Sequence, residues 1–186
     1  MATPGATAAP AVKKPAYLLV PLLVGAVVAV ALGVFAHVHE PVRPTFSGPF
    51  SSPLSMKVWL ASVALLLGLV QLVTALWMYG KLGVRAPSWA GTLHRTTGIT
   101  AFLVTVPVAF NCLYSWGFST FDTRGLLHSL LGCTFYGAFV AKVLTLHSKR
   151  VPGWALPWVG GLLFTALVGV TLTSAVYWFS THGAPN

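Results

Sequence analysis

Five apolar stretches dominate the sequence, each close to the ~20 residues that a helix needs to cross about 30 Å of hydrocarbon. They run over roughly 16–37, 57–79, 96–117, 125–147 and 155–179, separated by connections dense in Pro, Gly and Ser at 40–56, 80–93, 118–124 and 148–153. Backbone polar groups in lipid must be satisfied internally, which leaves helices or a closed barrel. The period-two alternation of barrel strands is absent. The expected fold is therefore an all-α integral membrane bundle of about five transmembrane helices.

Composition supports this. Only 7% of the 186 residues are charged, against roughly 25% in soluble domains, which must cover a surface that faces water. Residues 1–15, rich in Ala, Pro and Thr, read as a disordered tail. Residues 16–180 read as one transmembrane domain and 181–186 as a C-terminal tail. Lys13 and Lys14 followed by an apolar run and Val34-Phe35-Ala36 also have the outline of a cleavable signal peptide. The run exceeds the usual 7–15 residues, so a retained first helix is expected.

The charge is lopsided: 11 Lys and Arg stand against two acids, Glu40 and Asp122. A net charge of +9 in a soluble protein would point to nucleic acid. Here the cations fall mostly between apolar stretches, so they report topology and not a nucleic-acid partner. With the N-terminus inside, Lys13, Lys14, Lys81, Arg85, Arg95, Lys149 and Arg150 lie on the inner side; Arg43, Lys57 and Arg124 lie on the outer side. That bias predicts an inside N-terminus. The seven tryptophans fall near predicted helix ends, where an interfacial belt sits.

The histidines cluster at the ends of the stretches: His37, His39, His94, His128, His147 and His182. In this topology His94 and His147 lie at the inner face, and His37 and His128 at the outer face. His182 falls in the tail, and the sequence does not separate His37 from His39 as the outer candidate. One imidazole pair per face is what six-coordinate haem iron requires, and bundles build cofactor sites from facing helices. His94 is followed at i+4 by Gly98, and His128 by Gly132. On a helix, i+4 shares the face, and glycine there leaves room for a flat ring. His128 and His147, 19 residues apart, differ by about 28 Å in rise and about 100° in direction. They cannot share one haem, and two haems are expected.

The segment Leu127-His128-Ser129-Leu130-Leu131-Gly132 resembles the LHSW-x-G segment of the cytochrome b561 family. His94-Arg95-Thr96-Thr97-Gly98 is similar to the HRxxG segments of the same broader group. The resemblance covers parts of the third and fourth stretches and departs at Leu130, where the family tends to have Trp. It implies that His128, and less directly His94, are ligands in a bundle carrying two haems near opposite membrane faces. Leu93 to Gly98 is also similar to the HRxTG opening of the membrane-anchor cytochrome subunit of succinate dehydrogenase, where that segment lies near a quinone site. That subunit has three helices, not five. In layout the chain is similar to small uncharacterised bacterial membrane proteins, which implies a plasma-membrane location.

Lys142 lies within the fourth stretch, where a cation is costly unless it snorkels or meets an anion. With Arg95 or Arg150 it is a candidate to neutralise haem propionates or an anionic substrate. Gln71 and Asn111 are expected to bond a neighbouring helix or a cofactor edge, and Pro107 to bend the third helix. Gly160, Gly161 and Gly169 read as close packing. Cys112 and Cys133 have no metal spacing, and a bridge between them would require adjoining helices. No Walker loop, dinucleotide fingerprint, nucleophile elbow or CxxCH segment occurs, and no span holds a carboxylate. The expected function is a membrane cytochrome with b-type haem. Its ligands would be His94 with His147 and His37 with His128, relaying electrons between a quinol or small reductant and an acceptor, with a redox partner protein or as a complex subunit or homo-oligomer. The competing expectation is a non-haem membrane subunit, an assembly protein or a quinone-site anchor.

Overall fold

The computed structural model describes residues 14–42 and 46–185. Most of the expected N-terminal tail, with Lys13 and Arg43, lies outside them. Among the described residues there is no strand, and five segments are long and apolar enough to cross a membrane. They are Pro15–Val38, Pro53–Met78, Ala90–Trp116, Thr123–His147 and Ala155–His182.

Their regular parts are α1 (Leu19–Val38), α2 (Pro53–Met78), α3 (Ala90–Asn111), α4 (Thr123–His147), α5 (Ala155–Thr171) and α6 (Tyr177–His182). Two π turns, Cys112–Trp116 and Leu172–Val176, extend α3 and join α5 to α6. Several ends differ from those read off hydropathy, because capping rather than apolarity sets them. Ser52 accepts the Ser55 N–H ahead of Pro53 at the first helical position, so α2 starts four residues earlier than 57. Asp122 caps α4 by accepting the Gly125 N–H. The α3 helix begins at Ala90, well before 96, and the last helix runs on to His182, so part of the expected C-terminal tail is helical.

In lipid, helices gain little from hiding apolar side chains, so close approach through small residues decides the packing. The side chains here follow that rule. The buried residues are mostly Ala and Gly with Ser, Thr and Asn, while Leu19, Val20, Leu23, Val27, Val30 and Leu66 face outward. The tightest crossing joins α1 to α4. A Cβ on Gly25 would meet the Gly137 carbonyl oxygen at 2.5 Å, and one on Gly137 would collide with the Gly25 carbonyl. Gly68 of α2 faces Leu167 of α5, and Gly169 of α5 faces Leu131 of α4. Gly160 and Gly161, expected to pack, face open space.

α2 packs on α3 and α5, α5 on α4, and α1 on the remaining side of α4. α3 and α4 approach mainly through long side chains. Phe102 stacks on Phe139 at 4.0 Å, and the Tyr136 hydroxyl lies 3.0 Å from both oxygens of Thr105. The result is a four-helix core, α2 to α5, with α1 outside it. Its closed floor is Ala64, Phe135, Ala166 and Leu167. The Lys14 N–H donates to the Arg150 carbonyl, so the start of the chain and the α4–α5 connection share one end of the bundle, called here the near end. The opposite, far end carries His37, the start of α2, the end of α3, the start of α4 and His182.

Candidate cofactor site

Between the core helices, from the floor to the far end, lies a cavity of about 590 Å³, within the 300–1,000 Å³ typical of cofactor and ligand sites. Its depth is lined by Ala61, Ala64, Ala109, Phe135 and Leu167, and its mouth by Lys57, Arg124, His128, Trp178 and His182. Small residues from α2 and α3 create the volume. Gly132, one turn below His128, lines the wall, and a Cβ there would meet nothing nearer than Val170 Cγ2 at 3.8 Å.

The chemistry at His128 follows from one proton count. His128 Nδ1 lies 3.2 Å from Thr173 Oγ1. The Thr173 hydroxyl donates to the Gly169 and Val170 carbonyls of its own helix, at 2.9 and 3.1 Å. Its single proton is therefore committed, and its oxygen must accept from His128 Nδ1–H. That tautomer puts the lone pair on Nε2, the state in which an imidazole ligates a metal. His94 repeats the device at the near end. Its Nδ1 lies 2.8 Å from Thr74 Oγ1, and Thr74 donates to the Val70 carbonyl at 2.7 Å.

Beyond that device the two ends differ. The space in front of Gly98 is filled by Gln71, whose amide donates to the His94 carbonyl and to Thr97 Oγ1. Gly98 thus admits a neighbouring helix side chain and not a ring. Lys142, half-buried in α4, is a charged neighbour of His94. His147 is exposed and its Nδ1 donates to the Val143 carbonyl of its own helix, and Arg95 is exposed as well.

At the far end, His37 is exposed, 6.3 Å edge-on to Phe118, and lines no part of the cavity. His39 is tucked between Phe35 and Tyr114 and is also outside it. The second imidazole on the cavity is His182, stacked at 4.0 Å on Trp178. Placing His182 in a tail hid it. The signal was Tyr177-Trp178 and Phe179 continuing the apolar face toward it. Lys57, read only as a topology charge, is another cavity residue, with its Nζ 3.9 Å over the Trp116 ring.

Asn111 is fully buried, and its amide reaches the Pro107 carbonyl of its own helix at 3.4 Å. It donates to the Phe46 carbonyl at 2.7 Å and accepts the Phe46 N–H at 3.2 Å, so it latches the α1–α2 connection over the far end. Pro107 is accommodated within α3, and the backbone departs from α geometry just beyond it, at the Cys112 π turn. Cys112 and Cys133 are free thiols lining the cavity, and His128 and Lys57 are polar neighbours of Cys112. Among the described residues no three His, Cys, Asp or Glu side chains gather as a metal-ion cage.

Fold and cavity together define an integral membrane protein with a central chamber open toward one end of its bundle. Residues 18–186 match the model of the family of unknown function DUF6529, and the chain belongs to that family. No curated protein and no solved structure matches it.

Proposed function

We propose that the far-end cavity holds a b-type haem with His128 as an axial ligand, and that the protein is a membrane cytochrome relaying electrons between a quinol or small reductant and an acceptor. The observation that carries this reading is the His128–Thr173 pair, which leaves the Nε2 lone pair free on a histidine lining a chamber whose depth is walled mainly by apolar and small residues. The residues fit the group. Gly132 leaves the wall bare one turn below the ligand, and His182 offers a second imidazole on the same cavity. When bound, haem supplies a one-electron carrier whose potential depends on ligand identity and burial.

The chain's own part is to orient and to exclude. Thr173 fixes the His128 ring and raises its basicity through the Nδ1–H bond. Ala64, Phe135 and Leu167 close the floor and keep water from the deep end. A second haem between His94 and His147 has less support, because Gln71 occupies the Gly98 face and His147 turns to its own helix. The proposed location is a bacterial plasma membrane, as the resemblance in layout implies, and the cation bias favours the near end inside.

The test is spectroscopic. Protein purified from haem-sufficient cells should carry a Soret band and, on reduction, the sharp α-band of a low-spin b-type haem. His128→Ala should abolish that spectrum and His37→Ala should leave it unchanged. Colourless wild-type protein that takes up no added haem would refute the reading.

A further inference from the structure

Lys57 has no carboxylate partner among the described residues, and Arg124 has one that it shares with a helix cap. The whole sequence has two acids. Asp122 is already shared, since it caps α4 and lies 3.8 Å from Arg124 as the one ion pair among the described residues. Glu40, just beyond α1, is exposed and makes no ion pair with a described residue. Lys57 is half-buried on the cavity with no carboxylate partner among the described residues; its Nζ rests over the Trp116 ring, with the Cys112 thiol as a polar neighbour. Arg124 donates one bond to the Thr173 carbonyl at 2.9 Å and lies over Tyr177 at 4.2 Å, with guanidinium donors to spare. Arg124 also sits in the first turn of α4, where the macrodipole disfavours positive charge. A third donor joins them: Trp178 lines the same cavity, and its indole N–H is buried without an acceptor. Two cations and an orphaned N–H on one cavity, with a single carboxylate between them, describe a receptor for anionic oxygens.

We infer that Lys57, Arg124 and Trp178 form a carboxylate anchor at the mouth of the cavity, so that a ligand with an apolar body and a carboxylate edge enters with that edge toward the far end. On the reading proposed above, on which this rests, the carboxylates are the haem propionates. This moves the anchor away from Lys142 with Arg95 or Arg150, the cations that the sequence alone singled out, to the end of the bundle that has the chamber. Burial of the porphyrin body against Ala61, Ala109 and Gly132 and pairing of its carboxylates are separable contributions, and they can be tested separately.

The test uses the full-length protein in detergent, freed of any haem, with three probes: haem, metal-free protoporphyrin IX and protoporphyrin IX dimethyl ester, the last two followed by fluorescence. The free acid should bind about ten- to a hundredfold more tightly than the ester, the range expected for charge-assisted bonds. Lys57→Gln and Arg124→Gln should each weaken the free acid about tenfold and leave the ester unchanged, and Lys57→Arg should restore the wild-type value. His37→Ala, at a residue outside the cavity, should not move either metal-free probe. Equal binding of acid and ester, equal weakening of both by the Gln variants, or binding of neither would overturn the anchor. If the acid–ester difference holds while haem gives no low-spin spectrum, the anchor stands and the cytochrome reading falls.

Discussion

At the residue scale, the decisive fact about His128 is where the proton of its threonine partner goes. Had the Thr173 hydroxyl been free to donate, Nδ1 would hold the lone pair and Nε2 the hydrogen, and the ring could not ligate toward the cavity. Thr173→Val removes the acceptor and should weaken haem binding about ten- to a hundredfold, as loss of an outer-shell partner generally does, while Thr173→Ser should behave like the wild type. Haem titration of the three proteins checks this, and equal affinities would remove Thr173 from the account. The sequence made His128 visible, because LHSLLG has a recognisable spacing of histidine and glycine. It did not make Thr173 visible: the partner lies 45 residues away on another helix, and threonine is an ordinary residue in a membrane span. Asn111 illustrates the same limit. Polarity marked it as bonded to something, but only the fold reveals that Phe46 receives it. Asn111→Leu should leave the Phe46 N–H and carbonyl without that partner, and a loss of roughly 1–3 kcal/mol is expected. It would be read as a lower unfolding midpoint in detergent.

Elements are where hydropathy is most and least informative. Five spans follow directly from apolar length, since lipid leaves the backbone few alternatives. Their neighbours do not, because every span offers lipid a similar surface and only the small residues distinguish one face from another. Gly25 and Gly137 fix α1 against α4, yet nothing in the sequence separates them from Gly160 and Gly161, which touch no neighbour. Gly137→Leu should therefore force the helices apart and cost about 1–3 kcal/mol, the range for overpacking, whereas Gly160→Leu should be close to neutral. Thermal unfolding of both variants in the same detergent separates the cases, and similar midpoints would mean that the crossing contributes little. The glycine at i+4 from each histidine divides in the same way. Gly132 borders a chamber and Gly98 borders Gln71, and a shared face tells only that a gap exists, not what fills it.

For the whole molecule, the asymmetry of the two ends ties topology to function. The near end gathers Lys14, Lys81, Arg85, Arg95, Lys149 and Arg150, while the described far end holds Lys57 and Arg124; on the reading proposed above, this bias puts the cation-rich end inside. The cavity opens at the other end, so in that orientation the proposed haem would face the outside, with Ala64, Phe135 and Leu167 between it and the near end. A reductant that cannot cross lipid then distinguishes the faces. In sealed right-side-out vesicles, added dithionite should reduce the haem at once. In inverted vesicles reduction should wait until detergent opens them. Fast reduction in inverted vesicles alone would reverse the orientation, and equally fast reduction in both would mean that the chamber is reached from either face.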